Sequence, residues 1–375
     1  MAEHDGKTAL VLAGGGIMGA AYEIGCLTAL DRLFAPGFSS TQFDTYIGVS
    51  AGSVIATLIA NHTPPSVLFS DISHDKRTVF NWGRKDIYRF DAPGIVSSCW
   101  GVVRNLFKIY RNYRRNHWHF NLHDLIYILQ EQFPAGLFSL GAMQNYLCQA
   151  FRQEGILEDF HLLDRELLIP AYDLDRGERV VFGEEGLKDI PIYQAITASC
   201  AIPYFFRPHR IDGRYYIDGS IGRLSHIDLA IARGAKLIVL INPRVPMEND
   251  MERFCLPSLS YGKCSSIANL GITFAWEQAQ RIESREKLSM TLDIARHNHP
   301  EVDILLIEPG REESLLFFQS PMSDVARRQV MTYGYQLTLS QLKDRFDEFE
   351  GALERHGIAT SFDRLDNAPP ADDVA

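Results

Sequence analysis

Twice before residue 63 the chain follows the same pattern: a short apolar run, a glycine-marked turn, then apolar residues at helical spacing. "TALVLAG" (8–14) leads into Ile17, Tyr22, Ile24, Leu27, Leu30 and Leu33, and "FDTYIGV" (43–49) leads into "SAGSVIATLIANH" (50–62). Strands that are apolar at successive positions are buried on both faces. Two of them separated by a helix predict a parallel sheet covered by helices. Later stretches extend the pattern. "ELLIPAYDLDRGERVVF" (166–182) predicts two strands joined by a turn at Asp175 to Gly177. "IPIYQAITASCAIP" (190–203) predicts a helix stopped by Pro203, and "FFRPHRIDGRYYIDGS" (205–220) a hairpin turning at Asp212-Gly213. "AKLIVLIN" (235–242) predicts one more buried strand. Residues 63–150 read as largely helical, and 264–297 and 324–350 as long charged helices. With neither repeats nor a clear linker, the expectation is one main domain over 8–235. The final strand or strands and a helical C-terminal extension follow over 236–360, and a disordered tail over 361–375.

Composition excludes several classes. A net charge of −10 argues against nucleic-acid binding by the surface as a whole. The six cysteines are scattered without a CxxC pair, so neither a zinc site nor a redox pair is expected, and reduced, mostly buried thiols are. The start, "MAEHDGKTAL", lacks the basic and apolar regions of a signal peptide, and no apolar run approaches the roughly 18 residues of a membrane span. A cytoplasmic protein that meets a membrane only at its surface is the expectation.

Three stretches carry chemistry. In "AGGGIMGAAYEIG", Gly14, Gly16 and Gly19 spell GxGxxG between strand and helix. A dinucleotide site would also need an acidic residue at the end of the next strand. Here that strand delivers Ser50, and Asp44 lies at its beginning. Backbone N–H groups of a glycine nest at a helix N-terminus stabilise an oxyanion as readily as a phosphate. A glycine-rich turn without any ligand is the plain alternative. The second stretch, Gly48-Val49-Ser50-Ala51-Gly52, has the small flanks that a strained nucleophile elbow requires. A serine needs a base, and His226, His297, His299 and His356 all lie late in the chain, with His226 the best placed. The third stretch, "YYIDGSIG", sets Asp218 at the end of an apolar strand, followed by Gly219.

Together these pieces resemble the patatin-like phospholipases: a GGGxxG nest on the first strand–helix loop, GxSxG on the next, and Asp-Gly about 170 residues later. "TASCAIPYFFRP" resembles that family's alanine-serine-x-alanine-x-proline segment, "AYDLDRGERVVF" its strand pair, and "GLFSLGAMQNYL" (136–147) the helix start before them. The resemblance covers roughly 8–235. It implies a three-layer α/β/α sandwich with a mainly parallel central sheet. It also implies a lipid acyl hydrolase that cleaves carboxylic esters of phospholipid or lysophospholipid through a Ser50–Asp218 dyad without histidine. Gly15 and Gly16 would donate to the oxyanion, Gly14 and Gly19 would shape the loop, and no metal or organic cofactor would be needed. Two positions depart from the family pattern: Met18 stands where a basic residue is usual, and Ser220 where glycine or alanine is usual.

Residues 92–123 contain no acid, and spacings of four, three and four set Arg104, Lys108, Arg111 and Arg115 on one helical face. A packed helix with a solvated basic stripe is one reading, and an interfacial helix that holds anionic lipid is the other. Two rival functions stay open alongside the hydrolase. One is a catalytically weak lipid-binding protein on the same fold, suggested by Met18 and Ser220. The other is an oxidoreductase using the GxGxxG.

Overall fold

The computed structural model describes residues 6–80, 89–90, 100–101, 104, 111, 135–253, 255–257, 262–312, 316 and 326–374. Its centre is β1 (Lys7–Leu12), apolar from Ala9 to Leu12 and buried from Thr8 onward. β1 lies between β2 (Thr45–Gly48) and a strand at Ala235–Ile241, parallel to both. Alternate residues of β1 enter opposite cores. Leu10 and Leu12 join the larger cluster, and Ala9 and Val11 the smaller. Both faces of the sheet are therefore covered, as a run apolar at every position requires.

Between β1 and β2 runs α1 (Gly16–Leu33), and after β2 comes α2 (Ala51–Ala60), buried along its whole length. α3 (Pro65–Ser73) follows, then short strands β3 (Arg89–Phe90) and β4 (Gly136–Ser139), and helix α4 (Gly141–Glu154). β5 (Glu166–Asp173) and β6 (Glu178–Phe182) form the anticipated antiparallel pair around Asp175–Gly177. α5 (Ile192–Ser199) leads to β7 (Tyr204–Phe206), β8 (His209–Ile211) and β9 (Arg214–Asp218). α6 (Ile227–Ala232) precedes β10 (Ala235–Ile241). Two-residue strands β11 (Leu256–Pro257) and β12 (Cys264–Ser265) come before the long helix α7 (Ile272–Asn298). β13 (Asp303–Ile307), α8 (Arg327–Asp344), α9 (Phe346–Arg355) and α10 (Phe362–Asp366) complete the described elements.

Among the described residues the main sheet has eight strands in the order β13-β10-β1-β2-β5-β9-β8, with β6 paired to β5. From β13 to β5 neighbouring strands are parallel, and β9 and β8 join antiparallel. The fold is a mainly parallel α/β/α sandwich. In register, Leu12 faces Gly48 on one side and Ile241 on the other, and Ile241 faces Ile307. The loops after these strands therefore leave the sheet at one edge.

α1 is apolar around most of its circumference, so it needs cover on the side away from the sheet. α8 supplies it. The two helices cross so closely that a Cβ on Gly25 would lie 2.2 Å from the Met331 carbonyl oxygen, and one on Gly334 2.7 Å from that of Tyr22.

Three expectations need correction. Residues 361–374 are not a loose tail: Ser361 caps α10, Leu365 and Ala371 are buried, and Ser361 N–H donates to Leu33 O at 2.8 Å. Their Pro, Ala and Asp content resembles disorder, but one buried leucine and a seat against the end of α1 order them. Nor are all cysteines reduced, since Cys255 and Cys264 are disulfide-bonded while Cys26, Cys148 and Cys200 are free thiols. β11 and β12 pair antiparallel and bring the two cysteines together, which no spacing motif announces. The charged stretch 324–350 forms two helices rather than one, divided at Arg345. Among the described residues no helix is long and apolar enough to cross a membrane.

Candidate active site

Ser50 ends the turn between β2 and α2 with φ 52° and ψ −128°, a region that a side chain rarely occupies. The sequence permits this because its neighbours are small. A Cβ on Gly48 would sit 2.5 Å from Ser53 Cα, and one on Gly52 2.7 Å from Leu12 O. The end of α5 and the two residues after it hold the strained backbone in place. Ser199 Oγ accepts the Ser50 N–H at 2.9 Å and itself donates to Pro170 O at 2.7 Å. Two residues on, Ala201 O accepts the Asp218 N–H at 3.0 Å. One short segment, residues 199–201, thus fixes the backbone of both Ser50 and Asp218.

Ser50 Oγ donates to Asp218 Oδ2 at 2.7 Å. Asp218 is fully buried at the end of β9, and its other oxygen, Oδ1, accepts the Ser220 N–H at 2.8 Å. Burial raises the Asp218 carboxyl above the ordinary carboxylate range, against the opposing pull of the hydrogen bonds from Ser50 and Ser220. Ser220 therefore meets the carboxylate as a hydrogen-bond donor through both its backbone and its side chain.

His226 does not reach Ser50. It starts α6 with φ 49°, is fully buried, and its Nε2–H donates to Gly219 O at 3.0 Å. Burial lowers it to about 4, so the ring is neutral, and Nδ1 faces the Arg179 guanidinium at 3.3 Å. His226 thus braces the loop behind Asp218. His299 lies 3.8 Å from Glu301, and His356 bonds Asp303 at 2.9 Å, in the β13 region.

The glycine loop opens α1. Gly15 is its N-cap and Gly16 its first residue, where N–H groups have no carbonyl one turn earlier to bond. Gly14, Gly15 and Gly16 line one cavity with Ser50 and Asp218, while Gly19 sits one turn into α1 with its N–H on Gly15 O at 3.0 Å. The cavity holds about 370 Å³ and its wall is mostly apolar, including Met18, Ile202, Phe205 and Ile221. α7 closes it with Phe274 and Trp276 and with the polar side chains Glu277, Gln280 and Arg281. At the rim Phe205, Ile221 and Trp276 are exposed, and Tyr204 meets Trp276 edge-on at 6.5 Å. A second, small apolar cavity beside Ser50 is walled by Ile17, Val54, Leu140, Met143, Cys200 and Phe206.

Of the basic stripe, Arg104 and Arg111 are helical and exposed, and Lys108 and Arg115 lie outside the described residues. Sequence reasoning missed Ser199 as an anchor, and Arg244, Glu277 and Arg281 as parts of the cavity wall. Arg244 carried a usable signal. It follows β10 by three residues, at the same sheet edge where side chains of parallel sheets collect around ligands. Glu277 and Arg281 carried none, because a charged helix reads alike wherever it packs.

A patatin-like phospholipase family model matches residues 10–231. A probable lipid hydrolase, 463L of Invertebrate iridescent virus 6, is 24% identical over 229 residues, 59% of this chain. The chain spans 62% of that relative's length. Among solved structures, VipD of Legionella pneumophila aligns over 91% of this chain and 67% of its own, at 16% identity and a TM-score of 0.37. ExoU of Pseudomonas aeruginosa, solved in complex with SpcU, aligns over 98% of this chain and 70% of its own, at 16% identity and a TM-score of 0.30.

Proposed function

This chain belongs to the patatin-like phospholipase family, and from that premise we propose that it is a lipid acyl hydrolase working through Ser50 and Asp218. The observation that carries the reading is the 2.7 Å hydrogen bond from Ser50 Oγ to a buried carboxylate, in the wall of a mostly apolar cavity beside a glycine-lined helix N-terminus. Ser50 Oγ attacks the ester carbonyl carbon and Asp218 Oδ2 takes its proton. The oxyanion accepts hydrogen bonds from the N–H groups of Gly15 and Gly16, each worth about 3 kcal/mol in barrier height. As the C–O bond of the alcohol breaks, Asp218 returns the proton to the leaving oxygen. Asp218 then removes a proton from water, which attacks the acyl-enzyme and frees Ser50. A carboxylate raised by burial is a stronger base than one in water, which suits this direct role without histidine.

The exposed apolar rim supports a lipid substrate, with the small cavity as a second apolar compartment beside the nucleophile. A membrane surface is the partner this implies, with exposed Arg104 and Arg111 adding attraction to anionic lipid. Fluorophosphonate labelling of wild type, Ser50→Ala and Asp218→Asn, with short-chain ester turnover on the same samples, tests the dyad. Labelling and turnover by wild type alone are expected, and undiminished turnover by both variants would move the site elsewhere. Failure of a correctly folded wild type to label, with vesicle binding intact, would favour the lipid-binding alternative.

A further inference from the structure

Of the two carboxylates in the cavity wall, Asp218 is taken up by Ser50 and Ser220, which leaves Glu277 to pair with the cations. Two guanidinium groups, Arg244 and Arg281, share one carboxylate, Glu277. Arg281 is committed on every side: Nε donates to Glu277 Oε1 at 2.9 Å, and its two terminal nitrogens donate to the carbonyls of Val245 and Leu316, each at 3.0 Å. Arg244 is held loosely by comparison. It reaches Glu277 Oε2 through one terminal nitrogen at 3.4 Å, and its Nε is buried with no acceptor.

The backbone beneath Arg244 is nonetheless fixed. Its N–H donates to Asn242 Oδ1 at 3.0 Å, and Asn242 Nδ2 donates to Glu308 Oε2 at 3.0 Å. A loosely held guanidinium with an orphaned donor, rooted on a fixed backbone in a cavity that also holds a serine–carboxylate pair, is a socket for an acceptor that arrives with the ligand. The glycine loop contributes only Met18 as a side chain here, so this cation comes from β10.

Resting on the hydrolase reading, we propose that Arg244 is a specificity-determining residue that binds the phosphate of the substrate. Through it the chain prefers lipid esters with a net-anionic phosphate head group over zwitterionic and neutral ones. Each oxygen of Glu277 already accepts from an arginine and the two guanidinium groups outweigh its charge, so a choline or ethanolamine head gains little from this carboxylate. The field of Arg244 also reaches Asp218 and partly offsets its burial, which links head-group recognition to the proposed base.

Non-hydrolysable probes separate this idea from turnover. Binding of octyl phosphate, its neutral dimethyl ester, octylphosphocholine and inorganic phosphate is measured by calorimetry on wild type, Arg244→Gln and Arg244→Lys, all checked for native circular dichroism. Octyl phosphate is expected to bind wild type roughly tenfold to hundredfold tighter than the ester and the choline analogue. Arg244→Gln should erase the preference and Arg244→Lys keep part of it. Equal binding of the three octyl probes, a preference that survives Arg244→Gln, or inorganic phosphate binding as tightly as octyl phosphate would each overturn the assignment. Fluorophosphonate labelling of Ser50 judges the hydrolase reading separately. Labelling without head-group preference sinks only the role of Arg244. Preference without labelling sinks only the hydrolase.

Discussion

Replacing Ser199 with alanine removes a single oxygen, yet that oxygen joins two buried groups across three elements. It accepts from Ser50 N–H at 2.9 Å and donates to Pro170 O at 2.7 Å. Ser199 is fully buried, so no solvent takes over either role. Each of the two orphaned polar groups costs about 1–3 kcal/mol, which places the loss of stability at about 2–6 kcal/mol. That is a large part of the roughly 5–15 kcal/mol of a typical domain. The same bond holds Ser50 in a backbone conformation that stores about 1–3 kcal/mol of strain. Without it the turn is free to relax and carry Oγ away from Asp218, and a displacement of ~1 Å can cost about 100-fold in rate. Urea unfolding supplies the stability, and the fluorophosphonate labelling rate under fully native conditions supplies the geometry. A destabilised protein that labels at least roughly tenfold more slowly is expected. Ser199→Ala that loses under about 1 kcal/mol and labels at the wild-type rate would refute the anchoring role.

Two further outcomes are expected. His226 is buried and lowered from 6.5 to about 4, so it favours the native state while neutral. Its contribution is complete above pH 6.5 and is lost as pH falls toward 4, at about 1.4 kcal/mol per pH unit. The difference in unfolding free energy between wild type and His226→Gln, measured by urea titration, should shrink at that slope; a flat difference over this window would mean the ring is not held neutral. Thiol titration under denaturing conditions should rise by two groups after reduction, from Cys255 and Cys264, and an unchanged count would show that they are not bonded.

The halves of the site differed in how far the sequence could announce them. β1, β2 and the turns after them are local: each is read from its own ten or so residues, and their glycines mark close approaches that the fold then makes. Asp218 was legible for the same reason, as a carboxylate at the end of an apolar strand. Cavity walls are not local. α7 looks like a solvated charged helix along most of its length, and only Arg281, Leu288, Leu292 and Ala295 are buried. Nothing in its own pattern tells that its first turns stand beside a serine far back in the chain. β13 was legible but overlooked: "DILLI" before Glu-Pro-Gly is a short apolar run closed by turn residues. The role of His226 ran the other way, since a late histidine suggests a base and the structure assigns it to a carbonyl behind Asp218.

The helix that opens with the glycine nest is closed over by α8, across the Gly25–Gly334 contact. During synthesis this has a consequence in time. Residues 16–33 leave the ribosome some 300 residues before their cover does, about 15–60 s at ordinary elongation rates. For that interval Tyr22 and Cys26 lack the surface that buries them. A nascent chain stalled before residue 326 is expected to leave fluorophosphonate unreacted although Ser50 and Asp218 are both already made. On the proposed reading, the Ser50–Asp218 site would then be completed only once translation has passed α8, late in the making of the chain.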